Sequence, residues 1–183
     1  MLKYAYIDEI MRQEGAAACS VLSYAALAAY MGPKARSRVE RRLQAPRGVI
    51  VAAFPYYAGE REGNLSVYAR GLDYHIGVMK RLQSACAALK EVMPDAQFIP
   101  GTDNSPLPEV QAACLAGIGM IGQHGLLICP PYGSYVFLGT ILTDVPLDLK
   151  NEAGPSVRCM GCGKCIEACP AGALRNENGI ITL

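Results

Sequence analysis

Four cysteines near the end of the chain constrain it more than any other feature. Cys159-Met160-Gly161-Cys162-Gly163-Lys164-Cys165-Ile166-Glu167-Ala168-Cys169-Pro170 spaces its thiols as C-x2-C-x2-C-x3-C-P. Two-residue gaps let three thiolates wrap one face of an iron-sulfur cubane. Gly161 and Gly163 let backbone amides point at its sulfurs, and a helical turn after Cys165 carries Cys169 away. The expectation is a 4Fe-4S cluster with Cys159, Cys162, Cys165 and Cys169 as ligands. A single zinc ion is the alternative and fits poorly, because zinc sites usually separate their C-x2-C halves. In two-cluster modules the fourth cysteine of such a run serves the other cluster, so Cys169 requires a return ligand from elsewhere. No second run lies within the 183 residues. Either a scattered cysteine completes the cluster or, the preferred reading, the chain is the front part of a longer protein and its second motif lies beyond Leu183. Cys19, Cys86, Cys114 and Cys129 fall inside expected helices or strands, as small core residues.

The length predicts one domain with a small appendage, divided as 1–150 and 151–183 with a linker over Asn151–Pro155. Hydrophobic residues make up 51% and charged residues 18%, which excludes disorder and favours a heavily buried interior. No basic region followed by an apolar one opens the chain, so a reducing cytoplasm is expected. Residues 15–33 and 110–143 lack Asp, Glu, Lys and Arg, but the first is mostly Ala with Ser20 and Ser23. The second is broken by six glycines and by Pro130-Pro131, so neither reads as a membrane span.

Residues 2–14 read as a short helix and residues 16–22 as a strand. Ala35, Val39 and Leu43 mark an amphipathic helix. Six basic residues lie between Lys34 and Arg47, against Glu40 alone; they are either a solvated face or a phosphate-contacting patch. Gly48–Phe54 reads as an interior strand and 73–93 as the most secure helix, capped by Asp73 and stopped at Pro94, with apolar residues at 76, 79, 82, 86, 89, 92 and 93. A strand over 96–99, a helix over 106–116, a strand over 125–129 and a longer strand over 135–143 follow, the last two joined through the turn Pro130-Pro131-Tyr132-Gly133. The irregular interleaving favours an α+β fold with a mixed sheet and flanking helices, followed by a ferredoxin-type cluster module.

Gly117-Ile118-Gly119-Met120-Ile121-Gly122 has the spacing G-x-G-x-x-G, but a helix precedes it and a strand follows, the reverse of a dinucleotide site. The glycines of the uncharged segment permit close backbone approach, either to a bulky planar cofactor or within a tightly packed core. Asp103 sits between a strand and a helix. It is a cap or, if its carboxyl faces a dry crevice, a proton-holding general acid. Asp73, Tyr74 and His75 are the other candidates, with a structural histidine as the alternative for His75.

The order of Phe54-Pro55-Tyr56-Tyr57, Tyr68-Ala69-Arg70-Gly71-Leu72-Asp73-Tyr74-His75, Asp103-Asn104-Ser105-Pro106, Ala116 to His124, Tyr132 to Gly139 and the cysteine run resembles that of the epoxyqueuosine reductases, over about residues 48–174. The resemblance implies a cobalamin domain related to that of reductive dehalogenases, two 4Fe-4S clusters, and removal of the epoxide oxygen of epoxyqueuosine in the anticodon loop of tRNA. It implies tRNA and an electron donor such as flavodoxin or ferredoxin as partners. By position in the family motifs it makes Asp103 the first catalytic candidate, with Asp73 and His75 next. It makes Tyr68, Arg70, Tyr74, Gly119, Gly122, Gln123, His124, Ser134 and Phe137 cofactor-binding candidates. Gln123 stands where the family pattern has Lys. A ferredoxin-like electron carrier without corrinoid and a cobalamin-dependent reductase of a small molecule are the alternatives.

Overall fold

The computed structural model of the chain describes residues 1–60, 62–149, 159–177 and 180–182. Its centre is a four-stranded sheet in the order β1-β2-β6-β3, made of β1 (Ala18–Ser23), β2 (Gly48–Pro55), β6 (Val136–Thr143) and β3 (Phe98–Gly101). The strand expected over Gly48–Phe54 is interior, hydrogen-bonded to β1 on one edge and β6 on the other. Its run of apolar residues follows from burial on both faces. Ile50, Ala52 and Phe54 pack into one core, and Val49, Val51 and Ala53 into a second, the two-residue alternation of a pleated strand.

The first core is closed by α1 (Tyr4–Gln13) and α4 (Tyr74–Val92). The second is closed by α2 (Tyr24–Ala28), α3 (Pro33–Glu40) and α5 (Glu109–Leu115) with the small hairpin of β4 (Met120–Ile121) and β5 (Leu127–Ile128). The α+β architecture is as expected, with the sheet antiparallel throughout where the sequence suggests a mixed one. An isolated parallel bridge joins Leu2 to Leu147 outside it. Among the described residues no helix is long and apolar enough to cross a membrane.

The expected pairing of 125–129 with 135–143 does not form. Strand β6 gives one edge to β2 along its whole length and the other, over Thr140–Thr143, to β3. β5 folds back on β4 instead, and a single Cys129–Gly133 bridge remains at the turn. Helix α4 begins at the Asp73 cap, whose side chain accepts from the His75 amide, as the sequence indicates. The buried face is Val78, Leu82, Ala85, Cys86 and Leu89. Ile76 and Val92, counted with the apolar stripe, are about half exposed. The four scattered cysteines are buried.

The C-terminal residues comprise α6 (Lys164–Glu167) and a strand pair, β7 (Arg175–Glu177) and β8 (Ile180–Thr182). The linker read at Asn151–Pro155 lies outside the described residues.

Gly139 sets how closely α4 can lie on β6. A Cβ built there would be 2.9 Å from Leu82 Cδ1 and 3.1 Å from Val78 Cγ1. Gly139→Val therefore overpacks the first core, and chemical denaturation should show a loss of about 1–3 kcal/mol.

Candidate active site and cluster module

Strand β6 and helix α4 together build an aromatic wall. Tyr57, Tyr135, Tyr56, Phe137, Tyr74 and His75 form a continuous string of ring contacts, with centroid separations from 4.1 to 5.9 Å. Its centre is Phe137, stacked on Tyr56 at 4.3 Å and on Tyr74 at 4.5 Å. An open cleft of about 160 Å³ runs along this wall, lined by Tyr56, Val67, Tyr68, Arg70, Leu72 and Phe137. Arg70 is held there by donation from Nε to the Leu65 carbonyl at 3.1 Å.

At the end of the wall, the three residues that the sequence marks as catalytic candidates meet. His75 Nδ1 is 2.7 Å from Asp73 Oδ1, and His75 Nε2 is 3.1 Å from Asp103 Oδ2. Asp73 belongs to the start of α4, and Asp103 to the loop after β3. A carboxylate on each ring nitrogen favours the imidazolium, which donates to both, so the His75 pKa is raised, first by Asp103 and then by Asp73. Asp73 is lowered by the same imidazole and by the His75 amide. Burial and the neighbouring Asp103 carboxylate push the Tyr74 hydroxyl up. Asp103 does not lie in a dry crevice: its side chain is 51% exposed, as 57% of Asp73 and 44% of His75 are.

The buried acid lies one layer behind, and the sequence reading passes over it. Glu109, the first residue of α5, accepts from the Asp103 amide through Oε2 at 3.2 Å, while Oε1 is buried without a partner in the described structure. Burial pushes this carboxyl up to about 7. A Glu in the first turn of a helix is ordinary on dipole grounds, which conceals it. The available signal is that Glu109 is the last charge before the uncharged segment 110–143.

The remaining candidates lie on the β4–β5 hairpin and the turn beyond it. Gly119 packs against the Ile128 backbone so closely that no side chain fits there, and Gly122 lies under the His124 ring. His124 Nδ1 accepts from the Leu126 amide at 3.1 Å. Ser134 occupies the turn that leads from the hairpin into β6. In the described chain these two glycines thus serve close packing within the hairpin, and no dinucleotide-type strand-turn-helix surrounds them.

Gln123, at the hairpin tip, meets the cysteine run. Backbone amides of Gly161 and Gln123 donate to Cys159 Sγ and lower its pKa. Gly161 and Gly163 take the left-handed conformation (φ 66° and 76°) that turns the loop into α6. Amides of Leu174, Ala173, Ala171 and Gly172 surround Cys169 Sγ and lower that thiol as well. Thiols whose pKa peptide dipoles lower suit iron-sulfur ligation. Among the described residues no three His, Cys, Asp or Glu side chains are grouped to hold a single metal ion.

Residues 36–103 match the family model described as "Epoxyqueuosine reductase QueG, DUF1730", and residues 157–175 match that of the 4Fe-4S binding domain. The epoxyqueuosine reductase of Synechocystis sp. is 35% identical over 159 residues, covering 84% of this chain and 54% of that protein. The Listeria monocytogenes enzyme is 35% identical over 142 residues, covering 72% and 37%. The chain therefore spans about half the length, or less, of the curated relatives it matches. Among solved structures, epoxyqueuosine reductase from Streptococcus thermophilus superposes with a TM-score of 0.77 at 20% identity, covering 97% of this chain and 54% of that one. An epoxyqueuosine reductase bound to an epoxyqueuosine-modified tRNA-Tyr stem loop gives 0.73 at 19% identity, covering 92% and 52%. A reductive dehalogenase described with a B12-dependent mechanism shares the fold at 0.54 and 14% identity, covering 91% and 22%.

Removing either carboxylate should lower the titration of His75. Asp103→Asn and Asp73→Asn should each do so, because hydrogen bonds to these two carboxylates are the leading causes of the raised value. Proton NMR can follow this directly, since His124 is the only other histidine in the sequence.

Proposed function

Over the part of their length that it spans, this chain belongs to the epoxyqueuosine reductase family, and from that premise we propose that it serves to reduce epoxyqueuosine to queuosine in tRNA. The observation that carries the reading is the convergence of Asp73, His75 and Asp103 at the end of an aromatic cleft. Removing an epoxide oxygen as water and leaving an alkene takes two electrons and two protons, so an acid has to stand beside the reacting group.

Cobalamin, when bound, supplies a low-potential metal centre through which the electrons reach the substrate. The open aromatic cleft offers apolar contact to a corrin, and Tyr68, Arg70, Tyr74 and Phe137 are the residues of the wall and cleft that would hold it. Gly119, Gly122, Gln123, His124 and Ser134 complete the binding set carried over from the family. The cysteine run holds the 4Fe-4S cluster that feeds the site, with flavodoxin or ferredoxin as donor in the cytoplasm. Residues 1–150 form the cobalamin unit and 151–183 the cluster module.

Asp103 passes to the substrate the proton that it receives from His75. His75 stands behind it as the proton's source, with Nε2 3.1 Å from Asp103 Oδ2. Asp73 fixes the ring from the other side, at 2.7 Å from Nδ1. The His75 pKa is raised, so the proton-loaded imidazolium is present below that value and lost as pH rises through it.

The test is twofold. The intact protein reconstituted with cobalamin should show a bound corrinoid spectrum, and deleting its gene should make epoxyqueuosine accumulate in tRNA. Unchanged queuosine in the deletion strain excludes the tRNA role, and absence of a corrinoid leaves the electron-carrier alternative. Asp103→Asn should cut turnover by about 10²–10⁴-fold, and wild-type activity should fall on the alkaline side as His75 deprotonates.

The six basic residues between Lys34 and Arg47 are all exposed, on and just after α3, and are proposed to meet tRNA phosphates. Neutralising Lys34, Arg38 and Arg42 together should weaken tRNA binding and flatten its salt dependence, the logarithmic slope falling by about one for each phosphate that is no longer neutralised.

A further inference from the structure

Asp103 is the only non-glycine residue with a positive φ among the described residues, at 55°. An L-residue in the left-handed region is strained and stays there only when its surroundings hold it. The loop is tied at several points. Thr102 Oγ1 donates to the Leu138 carbonyl at 2.8 Å, the Asn104 amide to the Thr102 carbonyl at 2.7 Å, and the Leu107 amide to Ser105 Oγ at 3.1 Å. At Asp103 itself the main chain is restrained by Glu109 Oε2, which accepts its amide. Glu109 can supply that restraint because it rides on α5, whose Ala112, Ala113 and Cys114 are buried in the second core.

We propose that Glu109 is a positioning residue of this site: its buried carboxyl holds the Asp103 main chain in the left-handed turn that presents Asp103 Oδ2 to His75. The catalytic consequence rests on the reading of Asp103 as proton donor, whereas the positioning itself does not. Two independent observations carry it. One is the hydrogen bond to a strained residue. The other is Oε1, a buried polar atom without a partner in the described structure, which fixes Glu109 to this place at a desolvation cost that packing alone does not require. An acceptor oxygen is all that the Asp103 amide needs, so glutamine can replace Glu109 and alanine cannot.

His75 reports the position of Asp103, and Glu109 is not among the groups that perturb His75 directly. The experiment follows the NMR titration of His75 in the intact protein for wild type, Asp103→Asn, Glu109→Ala and Glu109→Gln, with His124 as internal reference. It needs neither corrinoid, tRNA nor turnover, so it can fail independently of the proposed function. Asp103→Asn should lower the His75 titration. Glu109→Ala should lower it to the same value and Glu109→Gln should leave it where wild type has it. A wild-type titration in Glu109→Ala, or an equal drop in Glu109→Gln, overturns the proposal. Hydrogen exchange at the Asp103 amide covers the case in which Glu109→Ala does not fold. Slow exchange in wild type and Glu109→Gln supports the hydrogen bond, and exchange at the rate of an unprotected amide in wild type refutes it.

Discussion

The site depends on one strand whose two edges are both occupied. β6 pairs with β2 over its whole length and with β3 over its second half, and its residues 137–140 bear on the site in turn. Phe137 lies under Tyr56 and Tyr74, the Leu138 carbonyl anchors Thr102, Gly139 admits α4, and Thr140 Oγ1 donates to the Gly101 carbonyl. One side of the site, Asp73 and His75, is thus placed through the helix resting on β6. The other side, Asp103, is placed through the loop that leaves its partner strand. A shift of β6 by a fraction of an ångström would alter the 3.1 Å contact between His75 and Asp103 without touching either residue.

That dependence explains what can be read from the sequence. The cysteine run, the interior strand β2 and helix α4 are legible because spacing, an apolar run and a helical period are local properties. Asp73, His75 and Asp103 are legible as separate candidates. Their meeting is not, because Asp103 reaches His75 across 28 positions through a strand pairing that no local pattern encodes. The hairpin expected between 125–129 and 135–143 fails for the same reason: β6 takes its partners from β2 and β3, distant in sequence, while residues 127–128 pair with β4. The glycines announce close approach correctly but not its object. At Gly119 and Gly139 the close neighbours are the Ile128 backbone and the Leu82 and Val78 side chains.

A chain with few charges puts several of them at one point. Two half-exposed carboxylates flank one imidazole, and a third, half-buried carboxyl stands behind them with its Oε1 enclosed. Exposure distinguishes their roles. Asp73 and Asp103 act on His75 through direct hydrogen bonds, which stay effective near solvent, whereas burial is the main influence on Glu109. The arrangement keeps a positive ring beside the acid without burying a charge pair, which would carry a far larger desolvation cost.

The link between the cluster module and the rest of the chain runs through peptide groups. Cys159 Sγ accepts from the Gln123 amide, so the hairpin tip contributes directly to the polarity around a cluster ligand. Hydrogen bonds to cluster sulfurs are among the factors that set a reduction potential. Because the donor here is main chain, it survives any change of the Gln123 side chain, including to the lysine that the resemblance leads one to expect there. What that difference changes is the charge beside Gly161, where the Gln123 side-chain amide lies. The hairpin tip thus separates two influences on the cluster, a fixed dipole from the fold and a variable charge from the side chain. Only the second changes with the side chain at position 123.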